Sequence, residues 1–107
     1  MATYVMLTKL TDHGAKTVKA NPERILEVDS QLGDMGLKVL QQYAVLGQYD
    51  FVNIVEAPDD AAMARIAVEL ASRGSIRIET LRAMPIEDFI AGLEQQGQYA
   101  ETAAGAR

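Results

Sequence analysis

Apolar positions in this chain change period several times, and the changes mark out the elements. Thr3 to Leu10 is rich in β-branched and aromatic residues and predicts a first strand. Asn21-Pro22-Glu23 reads as a helix start, with Asn as the cap and Pro at the first helical position. Ile25, Val28, Leu32 and Met35 follow at helical spacing, and Gly33 and Gly36 mark the end. Leu37 to Leu46 predicts a second strand, with Gly47-Gln48 as a tight two-residue turn into a third from Tyr49 to Ala57. Pro58-Asp59-Asp60 caps a second helix with a stripe of Met63, Ile66, Ala67 and Leu70, and Gly74 stops it before a fourth strand, Ser75 to Met84. Ile86, Phe89, Ile90 and Leu93 form a short amphipathic helix, whereas Gln95 to Arg107 has no periodicity and is expected to be a disordered tail.

The order strand, helix, strand, strand, helix, strand, with a short C-terminal helix, predicts an α+β, ferredoxin-like βαββαβ fold: a four-stranded antiparallel sheet with two helices on one face. Residues 1–94 make one domain and 95–107 the tail. Strands one and three should be central, since both are nearly continuous apolar runs. Placing Val5, Leu7, Val52 and Ile54 toward the helices leaves Tyr4, Met6, Thr8, Leu10, Phe51 and Val55 on the opposite face. A face that apolar should not stay wet. Either the terminal helix folds over it or two sheets pack face to face as a homodimer, and the second is expected because the helix is short.

Charge and composition narrow the partners. With 15 acidic residues against 10 basic ones, the net charge of −5 argues against a nucleic-acid surface. There is no cysteine, so disulfides, thiolate zinc sites and Cys nucleophiles are excluded. No segment approaches the roughly 20 apolar residues that span a bilayer, and no leader pattern opens the sequence. A cytoplasmic protein with no membrane partner is the expectation.

The stretch from Leu46 to Pro85 carries a further signal: the turn Gly47-Gln48-Tyr49-Asp50, then an apolar strand ending in Glu56-Ala57-Pro58-Asp59-Asp60. It resembles the GYD domain, a family of small bacterial proteins, over roughly residues 3 to 85, with Ile76 to Leu81 as a second region of likeness. The resemblance implies a dimeric α+β barrel, whose paired sheets enclose a central cavity. It implies no settled biochemical activity.

Any chemistry belongs on that enclosed face. A two-residue turn sets Gln42 opposite Asn53 and Ala44 opposite Phe51, on the open side. Ile76 and Ile78 read as core, which turns Arg77, Glu79 and Leu81 to the open side as well. The resulting ligand-binding set is Tyr4, Thr8, Gln42, Asn53, Arg77 and Glu79, with Arg77 clamping a polar or anionic metabolite, Glu79 as base or orienter, and Met6, Phe51 and Leu40 as walls. Arg77 and Glu79 also fit the blander role of an ion pair on an edge strand. His13 reads as a solvated loop histidine, and with no second His or Cys neither metal nor cofactor is expected. Asp59-Asp60 reads as helix capping, Tyr49 and Asp50 as hairpin-forming residues, and Gly14 as a turn. Three classes follow in order of preference: a homo-oligomeric binding or sensing module, a cofactor-independent oxygenase- or isomerase-like enzyme, and a structural assembly protein.

Overall fold

The computed structural model describes the backbone of residues 1–105 and the side chains of residues 1–95. The elements are β1 (Ala2–Leu10), α1 (Asp12–Ala20), α2 (Arg24–Asp34), β2 (Lys38–Ala44), β3 (Phe51–Ala57), α3 (Asp60–Ser72), β4 (Ile76–Ala83) and α4 (Ile86–Gly105). The sheet runs β2-β3-β1-β4 with every neighbouring pair antiparallel, so β1 and β3 are central, as a ferredoxin-like order requires. The expectation of a tail from Gln95 onward falls mainly on side chains outside the described residues.

The helices cover the face opposite to the one assigned from the sequence. Tyr4, Met6 and Val55 are buried against Leu32, Met63, Ile66 and Leu70, whereas Val5, Leu7, Val52 and Ile54 lie on the open face and are only half-buried. Strand pairing gives the reason. Thr8 pairs with Ile78 and Leu10 with Ile76, so these residues share a face, and Ile76 and Ile78 pack against the core. Both alternating sets in β1 are apolar enough to be buried. The choice was made by β4, where only one set is apolar, and by the volume of Met6 and Tyr4 facing the α3 stripe. Burying a side chain such as Met63 or Ile66 contributes about 1.5–3 kcal/mol.

Between β1 and Asn21 the chain forms a helix where the sequence predicts only a loop. Thr11 is its N-cap, and its hydroxyl accepts the Gly14 N–H at 3.1 Å. Asn21 ends α1 instead of starting α2, its N–H bonding to Thr17 O, and Asn21-Pro22-Glu23 is the joint between two helices. Apolar periodicity is weak in α1, and Gly14 is a poor helix former in isolation. The close approach of α1 to the start of β4 requires that glycine: a Cβ there would lie 1.9 Å from Ser75 O.

The β2–β3 register is as expected, Gln42 opposite Asn53 and Ala44 opposite Phe51, but the connection is wider than a two-residue turn. Ladder pairing stops at Ala44 and Phe51, and Val45 N–H bonds to Asp50 O at 2.8 Å across the loop. A register shift between Val39 and Gln41 leaves Leu40 as an extra residue. The α3 helix follows its sequence signal, with Asp59 accepting the Ala62 N–H at 2.8 Å. Gly74 stands at φ 77° just after it, a left-handed conformation suited to glycine. The terminal helix does not close the open face: Ile86, Phe89, Ile90 and Leu93 stay 48–62% exposed.

Candidate functional site

On the helix-covered face, Thr8, Asn53 and Gln42 run diagonally across β1, β3 and β2. Asn53 pairs with Met6 and with Gln42, and Thr8 lies two residues along from Met6. Above them α2 presents Asp29, whose Oδ1 accepts from Gln42 Nε2 at 3.0 Å. Asp29 stands four residues after Ile25 and three before Leu32, within the apolar stripe of α2. An acid in that stripe is the signal the sequence reading passed over.

A cavity of about 380 Å³ opens between this polar diagonal and the α1–α2 roof, walled by Met6, Val28, Leu32 and Phe51. His13, Arg24 and Arg73 are among its outer lining residues. One wall is α1, fastened to the start of β4 by Thr11 N–H to Ser75 O at 3.0 Å and the Thr11 hydroxyl to Gly74 O at 2.7 Å. Gly14 therefore serves as a packing contact in the wall, not as a turn. On the cavity floor, Thr8 Oγ1 and Asn53 Oδ1 are buried with no hydrogen-bond partner. A buried polar group without a partner costs about 1–3 kcal/mol.

The six residues grouped from the sequence do not share a site. Thr8, Gln42 and Asn53 meet in the cavity, on the face opposite to the expected one. Tyr4 is on that face too, but its hydroxyl donates to Asp60 Oδ1, which also accepts from Arg82 Nε at 3.2 Å. Arg77 and Glu79 are on the open face, as alternation predicted, yet both are exposed. Glu79 accepts from the Tyr49 hydroxyl, and the expected Arg77–Glu79 ion pair is absent among the described residues. A sheet separates the two groups, so Arg77 cannot clamp a ligand held by Asn53. The error in the face assignment of β1 and β3 propagated directly into the site.

The electrostatics follow these contacts. Burial, and then the neighbouring Asp60 carboxylate, push the Tyr4 hydroxyl above the usual phenol range. Hydrogen bonds from Tyr4 and Arg82 hold Asp60 below the usual carboxyl range. The Arg82 guanidinium also lies 5.7 Å from the Tyr4 ring centroid. The Tyr49 hydroxyl is raised by its bond to Glu79. Asp60 and Arg82 were not singled out from sequence because capping accounts for Asp59-Asp60; only Asp59 caps. His13 is exposed, and no group of three His, Cys, Asp or Glu side chains suited to a metal occurs among the described residues. Nor is any described helix long and apolar enough to cross a membrane.

Tyr49 and Asp50 explain why the turn has a recognisable sequence. Asp50 Oδ2 accepts the Leu10 N–H at 2.8 Å, and Asp50 N–H donates to Thr8 O at 2.8 Å, so the residue closes the end of the β1–β3 ladder. Tyr49 reaches across to β4 through Glu79. The pair ties the hairpin to the central strand and its far neighbour, a longer-range role than turn formation. The chain belongs to the GYD domain family, whose model matches residues 4–93. It is 55% identical over 95 residues to a Thermus thermophilus protein named glutamine synthetase and cystathionine beta-lyase binding protein, an alignment covering 88% of this chain and 100% of that protein. No solved structure matches it.

Proposed function

We propose that this chain is a binding protein that docks onto metabolic enzymes, with glutamine synthetase and cystathionine beta-lyase as its first candidate partners. The observation that carries this reading is the 55% identity along the full length of a relative named for binding those two enzymes. The site chemistry is consistent with it. The cavity floor offers neutral hydrogen-bonding groups, and Glu79, the base or orienter expected from sequence, is exposed and engaged by Tyr49. Binding rather than catalysis is therefore the role, and the cytoplasm is the compartment where such enzymes would be met.

Self-association belongs to the same proposal. The open face carries a central apolar block, Val5, Leu7, Val52 and Ile54, with charges of both signs around it, Arg77 and Glu79 on β4, Lys38 and Glu56 on the other side. With both signs at its rim, such a face can be set against its own copy so that unlike charges meet, and a second copy is the occupant that suits it.

Biolayer interferometry of the immobilised chain against the purified glutamine synthetase and cystathionine beta-lyase of its own organism tests the enzyme-binding reading. Saturable binding to at least one is expected. Binding to neither, by a folded chain, overturns it.

A further inference from the structure

We infer that the cavity beneath α1 and α2 is a binding site for a small, uncharged, largely apolar molecule carrying a hydroxyl or carboxamide group. This goes beyond enzyme docking and does not depend on it. Two independent features point to a ligand. The first is space: about 380 Å³ falls in the roughly 300–1,000 Å³ range of small-molecule pockets, and most of the wall is aliphatic or aromatic. The second is unmet polarity: Thr8 is 3% exposed and Asn53 9% exposed, both residues line the cavity, and each has a side-chain oxygen without a partner. Two such groups two positions apart on adjacent strands put an unmet hydrogen-bonding demand in the cavity lining.

The chemistry of the floor selects the ligand. Asn53 carries an acceptor oxygen and an amide nitrogen that donates, the Thr8 hydroxyl both accepts and donates, and Gln42 has its carbonyl oxygen left after Nε2 is committed to Asp29. A head with N–H or O–H donors satisfies this set. An anionic head would bring a second negative group beside Asp29 and beside the acceptor oxygens of Asn53 and Gln42. The arginines do not offset it, since Arg24 is paired with Glu27 at 2.9 Å and Arg73 with Glu69 at 3.5 Å. A cationic head fares no better, because Asp29 is the lone carboxylate among the described lining residues and is already engaged. Either charge would lose its hydration without compensation. The apolar walls then take the body of the molecule, whose burial supplies the binding free energy.

Three probes of one shape and different head charge test this: benzamide, benzoate and benzamidine. Their binding is followed through the side-chain amide resonances of Asn53 and Gln42 in the isotopically labelled protein. Benzamide is expected to shift both signals saturably and to bind at least about tenfold more tightly than either charged analogue, the equivalent of one hydrogen bond gained rather than a charge stranded. Thr8→Val with Asn53→Leu should abolish this preference while the protein stays folded. If the double variant does not fold, Thr8→Val alone keeps the shape and should weaken benzamide about tenfold. The inference is overturned if benzamide leaves both signals unmoved, as a cavity filled by water alone would. It is equally overturned if the charged probes bind as well, or if Thr8→Val leaves benzamide affinity unchanged.

Discussion

The Asp50 carboxylate accepts the backbone N–H of Leu10 at 2.8 Å across a sequence separation of 40 residues. This contact ties the hairpin loop to the end of the central strand just where ordinary β1–β3 pairing runs out. Asp50→Ala leaves the Leu10 N–H without its partner and is expected to cost about 1–2 kcal/mol, with Asp50→Asn recovering part of the loss. Urea unfolding of the two variants checks this; equal stability of Asp50→Ala and the parent protein would remove the tie from the account.

Gly14 presents a sharper test, because two effects of opposite sign meet there. Alanine should raise helix stability by about 1 kcal/mol. Its methyl carbon, however, would stand 1.9 Å from Ser75 O, a backbone atom that cannot swing aside. Steric exclusion wins, so Gly14→Ala is expected to destabilise by a net of about 1–3 kcal/mol and to displace α1 from β4. Thermal unfolding gives the sign directly.

The Tyr4–Asp60–Arg82 group sets a pH window. Asp60 is held below its unfolded-state value by the Tyr4 and Arg82 hydrogen bonds, so its contribution is complete above about pH 4 and is lost as pH falls through the folded-state value. Tyr4 is raised, first by burial and then by Asp60, so its contribution is complete below about pH 10 and fades as pH rises through the raised value. Melting temperature followed from about pH 2 to 11 should show a plateau with two shoulders. Asp60→Asn is expected to flatten the acid shoulder and Tyr4→Phe the alkaline one; an unchanged acid shoulder in Asp60→Asn would assign it to other carboxyl groups.

Charge placed on the open sheet face tests self-association without touching the core. Leu7 and Val52 pair directly and are only half-buried. Leu7→Lys with Val52→Lys should convert a sedimenting dimer into a monomer with an unchanged circular dichroism spectrum. A parent protein that already sediments as a monomer at micromolar concentration contradicts the proposal of a second copy on that face.

How much was legible depended on whether a segment carried one pattern or two. In α3 a single stripe and an Asp cap agree, and the helix forms where expected. In β4 only Ile76 and Ile78 are apolar on their side near the start of the strand, so Arg77 and Glu79 were placed on the correct face. In β1 both faces are apolar, and alternation cannot choose between them; the choice lies in Thr8↔Ile78 pairing, a relationship between residues far apart in sequence. Had that pairing been imposed, placing Thr8 with Arg77 would have been self-contradictory. The hairpin register joins Gln42 to Asn53 and alternation in β1 adds Thr8, but all three lie on the side opposite to the one expected. The α1 helix was missed for a different reason, since its stability comes from the Thr11 cap and the contact with Ser75 rather than from an apolar stripe.

The roof of the cavity has a topological consequence of its own. The chain leaves the sheet at the end of β1, builds α1 and α2, and rejoins at β2 on the outer edge. The segment is a detour, and β3, β1, β4 and α3 close upon one another without it through Val55, Met63 and Ile66. Because Leu32 of this detour is buried in the same core as Val55, Met63 and Ile66, lifting the roof would uncover part of that core, while no strand would have to part from its neighbour.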